Sequence, residues 1–280
     1  VLLQQGDPAK GLYVVTAGQV ELSMRSNSGQ KITVDVMDGF GHFGEVALCD
    51  GGKCLVTART LNHVNVIFLG EPYYQALRVG FPEIALELMS VMSLRAIEKL
   101  HKTFDHLFDV IQRSSSDVKQ HFIVPDTTYQ DIHSGWLREE LKQVKFTSFP
   151  SMSHMSDHEC DLLAEYCDPV FIDQAGLFKQ DRYDAAFLLL DGKVQLEHEQ
   201  DGVCFSFPPM QPGYIFSAER LLSVPPITTT LRICEPSMFV QFKADRLWNM
   251  KTVHQEVYAK LFGVVVYSIA SKLRIIYEYM

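Results

Sequence analysis

Two histidines and a cysteine near the middle of the chain have the types and the spacing of metal ligands. His154 and His158 stand four residues apart, which places both on one face of a helix, and Cys160 follows them. Imidazole and thiolate groups of this kind bind zinc. No second cluster of such residues is visible in the sequence, and residues 153–159 have the composition of a capped helix start. We therefore interpret these side chains as solvated helix-start residues and predict no metal site.

The motifs that anchor covalent, phosphoryl and hydride chemistry are missing from the sequence. It contains no Gly-x-Ser-x-Gly, no P-loop and no dinucleotide fingerprint. A cupin-type metalloenzyme would need paired histidines on one strand, whereas only His42 precedes Glu45 and no His-x-His occurs. We predict that this segment is not an enzyme and needs no cofactor.

The elements that must position any site occur twice along the chain. Two pairs of segments match in the same order: residues 4–22 with 179–196, and residues 38–45 with 211–218. In each copy a strand of aromatic and aliphatic residues leads through a glycine, Gly18 or Gly192, into a strand that alternates apolar and polar residues. We predict two β-rich domains of related fold, in which each glycine turns a hairpin of a half-buried sheet.

A helical period follows each copy. After Pro82, and again between residues 253 and 273, apolar residues recur at intervals of three and four. The first helix, over residues 83–107, is predicted to pack through Ile84, Leu88, Val91, Leu94, Ile97 and Leu100. We place the first domain, N-terminally truncated, at residues 1–112, a connector at 113–145 and the second domain at 146–280.

These landmarks resemble those of cyclic-nucleotide-binding domains in kinase regulatory subunits, channels, some anion transporters and bacterial cAMP-responsive regulators. The segments that carry the resemblance are Gly6-Asp7-Pro8, Tyr13-Val14-Val15, Gly18-Gln19-Val20 and Phe43-Gly44-Glu45-Val46-Ala47-Leu48. The resemblance implies a mainly β fold with flanking helices, in which two tandem jelly-roll β-barrels are joined by a helical connector.

The resemblance also implies a phosphate-binding cassette that begins at Phe43. In such domains a short helix points its first amides at the cyclic phosphate, because unpaired N–H groups and the helix dipole favour an anion. Gly44 would allow close approach of the backbone, Glu45 would accept the ribose 2′-hydroxyl and Ala47 would offer an amide. By resemblance, the ligand cAMP or cGMP would contact Phe43, Gly44, Glu45, Val46, Ala47, Lys53, Cys54 and Leu55.

The cassette departs from the family pattern at one position. Family members place an arginine there to pair with the phosphate, but residues 49–58 contain none, and the position falls on Gly52 or Lys53. Lys53 offers a point charge without the bidentate fork of a guanidinium. Two interpretations stay open. One is a sensor that binds a cyclic nucleotide and signals through the helix at 83–107; the other is a ligand-independent interaction or autoinhibitory scaffold.

The second copy departs further from the pattern. Ser217 replaces the glycine, Ala218 replaces the glutamate and Pro226 stands at the arginine position. Glu219 would substitute for Ala218 only if the register slipped by one residue. We predict a degenerate second site and a structural or docking role for this domain.

Composition limits the partners of the chain. Its 280 residues carry a formal net charge of −9, which repels nucleic acid. The six cysteines form no CxxC pair and are interpreted as reduced thiols. The apolar stretch at residues 261–270 falls well short of the ~20 residues of a membrane-spanning helix. We predict a cytoplasmic module, or the cytosolic part of a membrane protein, whose partners are a cyclic nucleotide and a kinase, channel or transporter domain in the same or another chain.

Overall fold

The computed structural model divides the chain into two compact units. It describes residues 1–8, 10–25, 29–50, 52–114, 141, 144–173, 175–178, 184–200, 203–222 and 229–279. The first unit comprises Val1–Leu107 together with Ile269–Met280, and the second comprises Phe108–Ser268. Most of the predicted connector at 113–145 lies outside the described residues. The predicted boundaries at residues 112 and 146 therefore stay predictions.

The first unit is a jelly roll of two antiparallel sheets with helices after it. Its strands are β1 (Gly11–Ala17), β2 (Val20–Arg25), β3 (Lys31–Met37), β4 (His42–Phe43), β5 (Thr57–Thr60) and β6 (Asn65–Gly70). Its helices are α1 (Glu45–Asp50), α2 (Glu71–Gly80) and α3 (Pro82–Ser114), of which residues 82–107 belong to this unit. One sheet has the strand order β4-β1-β6 and the other has the order β3-β2-β5.

The prediction that Gly18 turns a hairpin is wrong. β1 pairs with β4 and β6, whereas β2 pairs with β3 and β5, so the chain passes from one sheet to the other at this glycine. Gly18 has a φ of +84°, and an added Cβ would lie 2.2 Å from the His63 carbonyl oxygen. The position requires glycine because a neighbouring turn approaches the backbone closely.

Side chains from both sheets fill the interior of the first roll. Those that are at most 1% exposed include Val15, Val20, Leu22, Phe43 and Ala58. Phe43 also stacks on Tyr13, with ring centroids 5.0 Å apart. This apolar core fixes the end of β4, where the predicted cassette begins.

The second unit is a jelly roll of two four-stranded sheets. Its strands are β7 (Cys167–Ile172), β8 (Gly176–Phe178), β9 (Ala185–Asp191), β10 (Val194–Gln200), β11 (Val203–Met210), β12 (Ile215–Phe216), β13 (Thr230–Ile233) and β14 (Ser237–Lys243). The sheets have the orders β11-β10-β13-β8 and β12-β9-β14-β7. Because β9 and β10 lie in different sheets, the predicted hairpin at Gly192 is also wrong. The predicted fold of two tandem jelly rolls is confirmed.

Three longer helices accompany the second roll: α4 (Asp157–Glu165), α5 (Ala244–Val253) and α6 (Gln255–Tyr279), whose residues 269–279 belong to the first unit. Ser156 and Glu159 form a reciprocal capping box at the start of α4, which confirms the predicted helix start. The apolar stretch at residues 261–270 lies within α6. No helix of the described ranges is long and apolar enough to cross a membrane.

The repeat read from the sequence reappears in the backbone of the two rolls. Left-handed residues occur at matching positions: Phe40 (φ +70°) with Gly213 (φ +93°), and Gly44 (φ +92°) with Ser217 (φ +54°). At each of these positions one copy has glycine and the other has a different residue, Phe40 or Ser217. The two copies of the repeat therefore share a left-handed backbone at these two positions despite their different residues.

The buried face of α3 is rotated from the predicted one. Ile84 and Val91 are each 55% exposed and Leu94 is 42% exposed, although all three were expected to pack. The buried residues of this helix are Ala85, Met89, Met92, Ser93, Ala96, Ile97, Lys99, Leu100 and Thr103. Methionine adapts to irregular gaps and alanine permits close packing, so these residues lie on the buried face in place of several branched aliphatic ones. The helix itself is confirmed and extends to Ser114.

Candidate functional site

The predicted cassette begins where β4 meets α1. Phe43 is fully buried at the end of β4, and α1 starts two residues later at Glu45. Gly44 joins them with a φ of +92°, and an added Cβ would lie 2.4 Å from the Gly11 carbonyl oxygen. The close approach that requires glycine in this structure is therefore to β1.

A small cavity lies inside the first roll beside the cassette. Its volume is about 30 Å³, and about 10–15 Å³ is enough to hold one water molecule. Seven of the eight predicted ligand-contact residues line it, namely Phe43, Gly44, Glu45, Val46, Ala47, Cys54 and Leu55. Lys53 lies outside the lining, which also contains Leu3, Leu22, Val34, Val56 and Lys99. The structure thus brings the cassette residues together around one space.

The residue that holds Glu45 was missed by the sequence analysis. Lys99 of α3 forms a hydrogen-bonded ion pair with Glu45 Oε1, and the same ammonium donates to the His42 carbonyl oxygen at 3.1 Å. The side chains of Lys99 and Glu45 are only 9% and 1% exposed. Because little water reaches either charge, each depends on the other for solvation. The signal in the sequence that could have identified it is the position of Lys99 on the same helical face as Ala96 and Leu100.

Two buried polar atoms beside this ion pair have no hydrogen-bond partner among the described residues. They are Glu45 Oε2 and His42 Nε2. Burial is the main reason why the pKa of His42 is lowered, so its imidazole is neutral near pH 7. A buried acceptor without a donor costs about 1–3 kcal/mol. A hydroxyl group that entered the cavity would therefore be favoured at Glu45 Oε2.

The turn at Gly6-Asp7-Pro8 fixes the far end of the cassette. The Gly6 amide donates to the Cys54 carbonyl oxygen at 2.8 Å, and the Cys54 amide donates to the Asp7 carbonyl oxygen at 2.8 Å. Lys53 bridges to Pro8 through its backbone, and its side chain is exposed. Burial, with a contribution from the Asp7 charge, raises the pKa of the Cys54 thiol. The thiol that lines the cavity is therefore neutral near pH 7.

Residues 1–78 match the sequence profile of the family described as cyclic nucleotide-binding domain. These residues belong to that family. The chain is 26% identical over 107 residues to a CRP-like cAMP-activated global transcriptional regulator of Mycobacterium tuberculosis, over 38% of this chain and 46% of that protein. It is 29% identical over 97 residues to a cyclic AMP receptor protein of Thermus thermophilus, over 35% of this chain and 45% of that protein. The match thus spans less than half the length of either relative.

A solved structure that resembles the chain is the regulatory domain of Toxoplasma gondii PKA, crystallised with cAMP. It aligns with 93% of this chain and 79% of its own length, with a TM-score of 0.36 and 14% sequence identity. The assignment to the cyclic nucleotide-binding domain family rests on residues 1–78 and not on this similarity.

The second roll carries different side chains at the positions that match the predicted cassette. Ser217 and Ala218 occupy the glycine and glutamate positions, and both are at most 2% exposed. Glu219 is 2% exposed. The burial of Tyr214, together with the charge of Glu219, raises the pKa of Tyr214 well above its ordinary value. Pro226 lies outside the described residues. The degeneracy of the second site stays a prediction.

Proposed function

We propose that the first unit is a regulatory sensor that binds a cyclic nucleotide, cAMP or cGMP, and signals through α3. The observation that carries this proposal is the Glu45 carboxylate. It lines the cavity, it is 1% exposed, and one of its oxygens has no hydrogen-bond partner within the described part of the chain. The family of residues 1–78 supports this ligand class, as do the names of the two relatives, which both refer to cAMP.

A ribose 2′-hydroxyl can donate the hydrogen bond that Glu45 Oε2 lacks. A hydroxyl that donates to an ionised carboxylate forms a stronger bond than one that donates to a neutral acceptor. Glu45 can keep Lys99 on Oε1 while Oε2 accepts the hydroxyl. The Glu45 carboxylate would then bind the nucleotide through one oxygen and Lys99 of α3 through the other. The first amides of α1, which lack an intrahelical acceptor as in any α-helix, would lie nearby for the phosphate.

The cavity must enlarge before a nucleotide enters. Its volume of about 30 Å³ compares with roughly 300–1,000 Å³ for typical ligand pockets. Lys99, which projects from α3, forms part of its wall, so displacement of this helix or of its side chain would enlarge the cavity. A ligand that binds only the enlarged state shifts the population toward that state. In this proposal α3 therefore transmits the binding event.

The sensor proposal is tested by calorimetric titration of the unaltered chain with cAMP, cGMP and the 2′-deoxy analogue of the tighter ligand. We expect saturable binding, and at least about tenfold weaker binding of the 2′-deoxy analogue, because it leaves Glu45 Oε2 without a donor. Since the protein is not changed, no loss of folding contributes to the comparison. Equal affinities for the two forms of the ligand would contradict the role of Glu45.

A second candidate function is a ligand-independent interaction or autoinhibitory scaffold. The observations that favour it are the small volume of the cavity and the engagement of Glu45 by Lys99. The two functions differ in their response to ligand, since a ligand at a hundred times its Kd adds about 2.7 kcal/mol of stability. A thermal unfolding curve that stays unchanged with millimolar cAMP and cGMP supports the scaffold and excludes the sensor.

The remaining roles follow from the sensor proposal. We assign this segment a regulatory rather than a catalytic role, without a cofactor and with a cytoplasmic location. A kinase, channel or transporter domain, in the same or another chain, would receive the signal. The net charge of −9 disfavours nucleic acid as a direct partner of this segment.

A further inference from the structure

We propose that Arg274, near the end of α6, supplies the guanidinium that the cassette of the first unit lacks in its own sequence. This inference rests on the proposed binding of a cyclic nucleotide. It assigns Arg274 to the phosphate of that ligand, as a binding residue that is distant in sequence from the cassette.

Arg274 contacts the loop of the cassette through a hydrogen bond. Its Nη2 atom donates to the Lys53 carbonyl oxygen at 2.9 Å, across a sequence separation of 221 residues. The family pattern places its arginine at Gly52 or Lys53 of this sequence. The guanidinium of Arg274 therefore lies at the segment of the loop where a guanidinium is missing. Both residues belong to the first unit.

The electrostatic environment of Cys54 supports the same placement. After burial and the Asp7 charge, which raise the pKa of the Cys54 thiol, the charge of Arg274 acts to lower it. Cys54 lines the cavity, and Arg274 is thus close enough to act on a group of the lining. A cation that acts on a residue of the lining favours an anionic ligand over a neutral one.

The end of α6 is anchored on both sides of Arg274. Leu273 is 1% exposed and Ile276 is fully buried, whereas the Arg274 side chain remains partly exposed. Anchored neighbours restrict where the guanidinium can lie, and a restricted cation loses less entropy when it binds. Its planar fork also matches two phosphate oxygens, which the ammonium of Lys53 does not.

The inference is tested by titrating cAMP and cGMP into Arg274→Gln, Arg274→Lys and the control Lys251→Gln. Lys251 lies over the Trp248 ring in α5, so its replacement removes the same charge from a site in the second unit. We expect Arg274→Gln to weaken binding about 10- to 100-fold, because a charged hydrogen bond to the phosphate is lost. Arg274→Lys should be intermediate, and Lys251→Gln should match the unaltered chain.

Rescue separates a phosphate contact from a purely structural role. The double variant Lys53→Arg/Arg274→Gln restores a guanidinium within the cassette and should recover most of the lost affinity. A structural role of Arg274 predicts no recovery. If the unaltered chain binds and Arg274→Gln binds equally well, this inference fails while the sensor proposal stands. If the unaltered chain binds neither cAMP nor cGMP, both fail.

Discussion

Replacing Lys99 by methionine is expected to lower the free energy of unfolding of the first unit by about 3–5 kcal/mol. The substitution leaves the Glu45 carboxylate buried without its counter-ion, and Glu45 is only 1% exposed. The double variant Glu45→Gln/Lys99→Met removes both charges and should recover much of the loss, since a buried pair that is replaced as a whole costs little. Recovery in the double variant would show that the cost arises from the unpaired charge.

The matched control for this substitution is Lys102→Met on the same helix. The Lys102 side chain is 55% exposed and lies 3.5 Å from Asp35, so its removal should change stability by no more than about 0.5 kcal/mol. Hydrogen exchange of peptides from β1, β2 and β6 measures the first unit separately from the second. Equal protection in Lys99→Met and Lys102→Met would contradict a buried, mutually dependent ion pair.

Gly44→Ala is expected to destabilise the first unit by about 3 kcal/mol and to abolish nucleotide binding. The left-handed backbone at φ +92° contributes strain of about 1–3 kcal/mol for an L-residue. The new Cβ would in addition lie 2.4 Å from the Gly11 carbonyl oxygen, which is a backbone atom of β1 and cannot move aside cheaply. The start of α1 would then shift relative to β1 and to the cavity.

Gly6→Ala separates backbone strain from steric contact. Gly6 has a similar φ of +87°, but an added Cβ there meets no heavy atom within 4 Å. We expect this variant to lower the free energy of unfolding by about 1 kcal/mol, as measured by the same hydrogen exchange. Ser217, which matches Gly44 in the second roll, adopts φ +54°, so a left-handed backbone alone does not prevent folding. Equal costs for Gly6→Ala and Gly44→Ala would show that contact with β1 is unimportant.

Local patterns in the sequence predicted the repeat and the two β-rich domains, and the resemblance to cyclic-nucleotide-binding domains implied the two jelly rolls. Strand alternation, turn glycines and the order of the segments are all visible within short windows. The same local reading produced the wrong hairpins at Gly18 and Gly192. Whether two consecutive strands pair or pass to opposite sheets is decided by other strands far along the chain, and no signal within the turn distinguishes the two.

The residues that the sequence did not reveal act across long separations. Lys99 is 54 residues from Glu45, and Arg274 is 221 residues from Lys53. Lys99 lies among apolar residues of a face that was itself placed incorrectly, since Ile84 and Val91 were expected to be buried. Only a fold that sets the rotation of α3 and the end of α6 identifies these contacts.

The most direct test concerns the binding of a cyclic nucleotide at the cavity lined by Glu45. Backbone NMR spectra of the isotopically labelled chain, recorded during titration with cAMP and cGMP, report both binding and its location. We predict saturable shifts at the amides of residues 44–47 and at the α3 residues around Lys99. Spectra that stay unchanged at millimolar ligand, or shifts confined to residues far from this cavity, would contradict it.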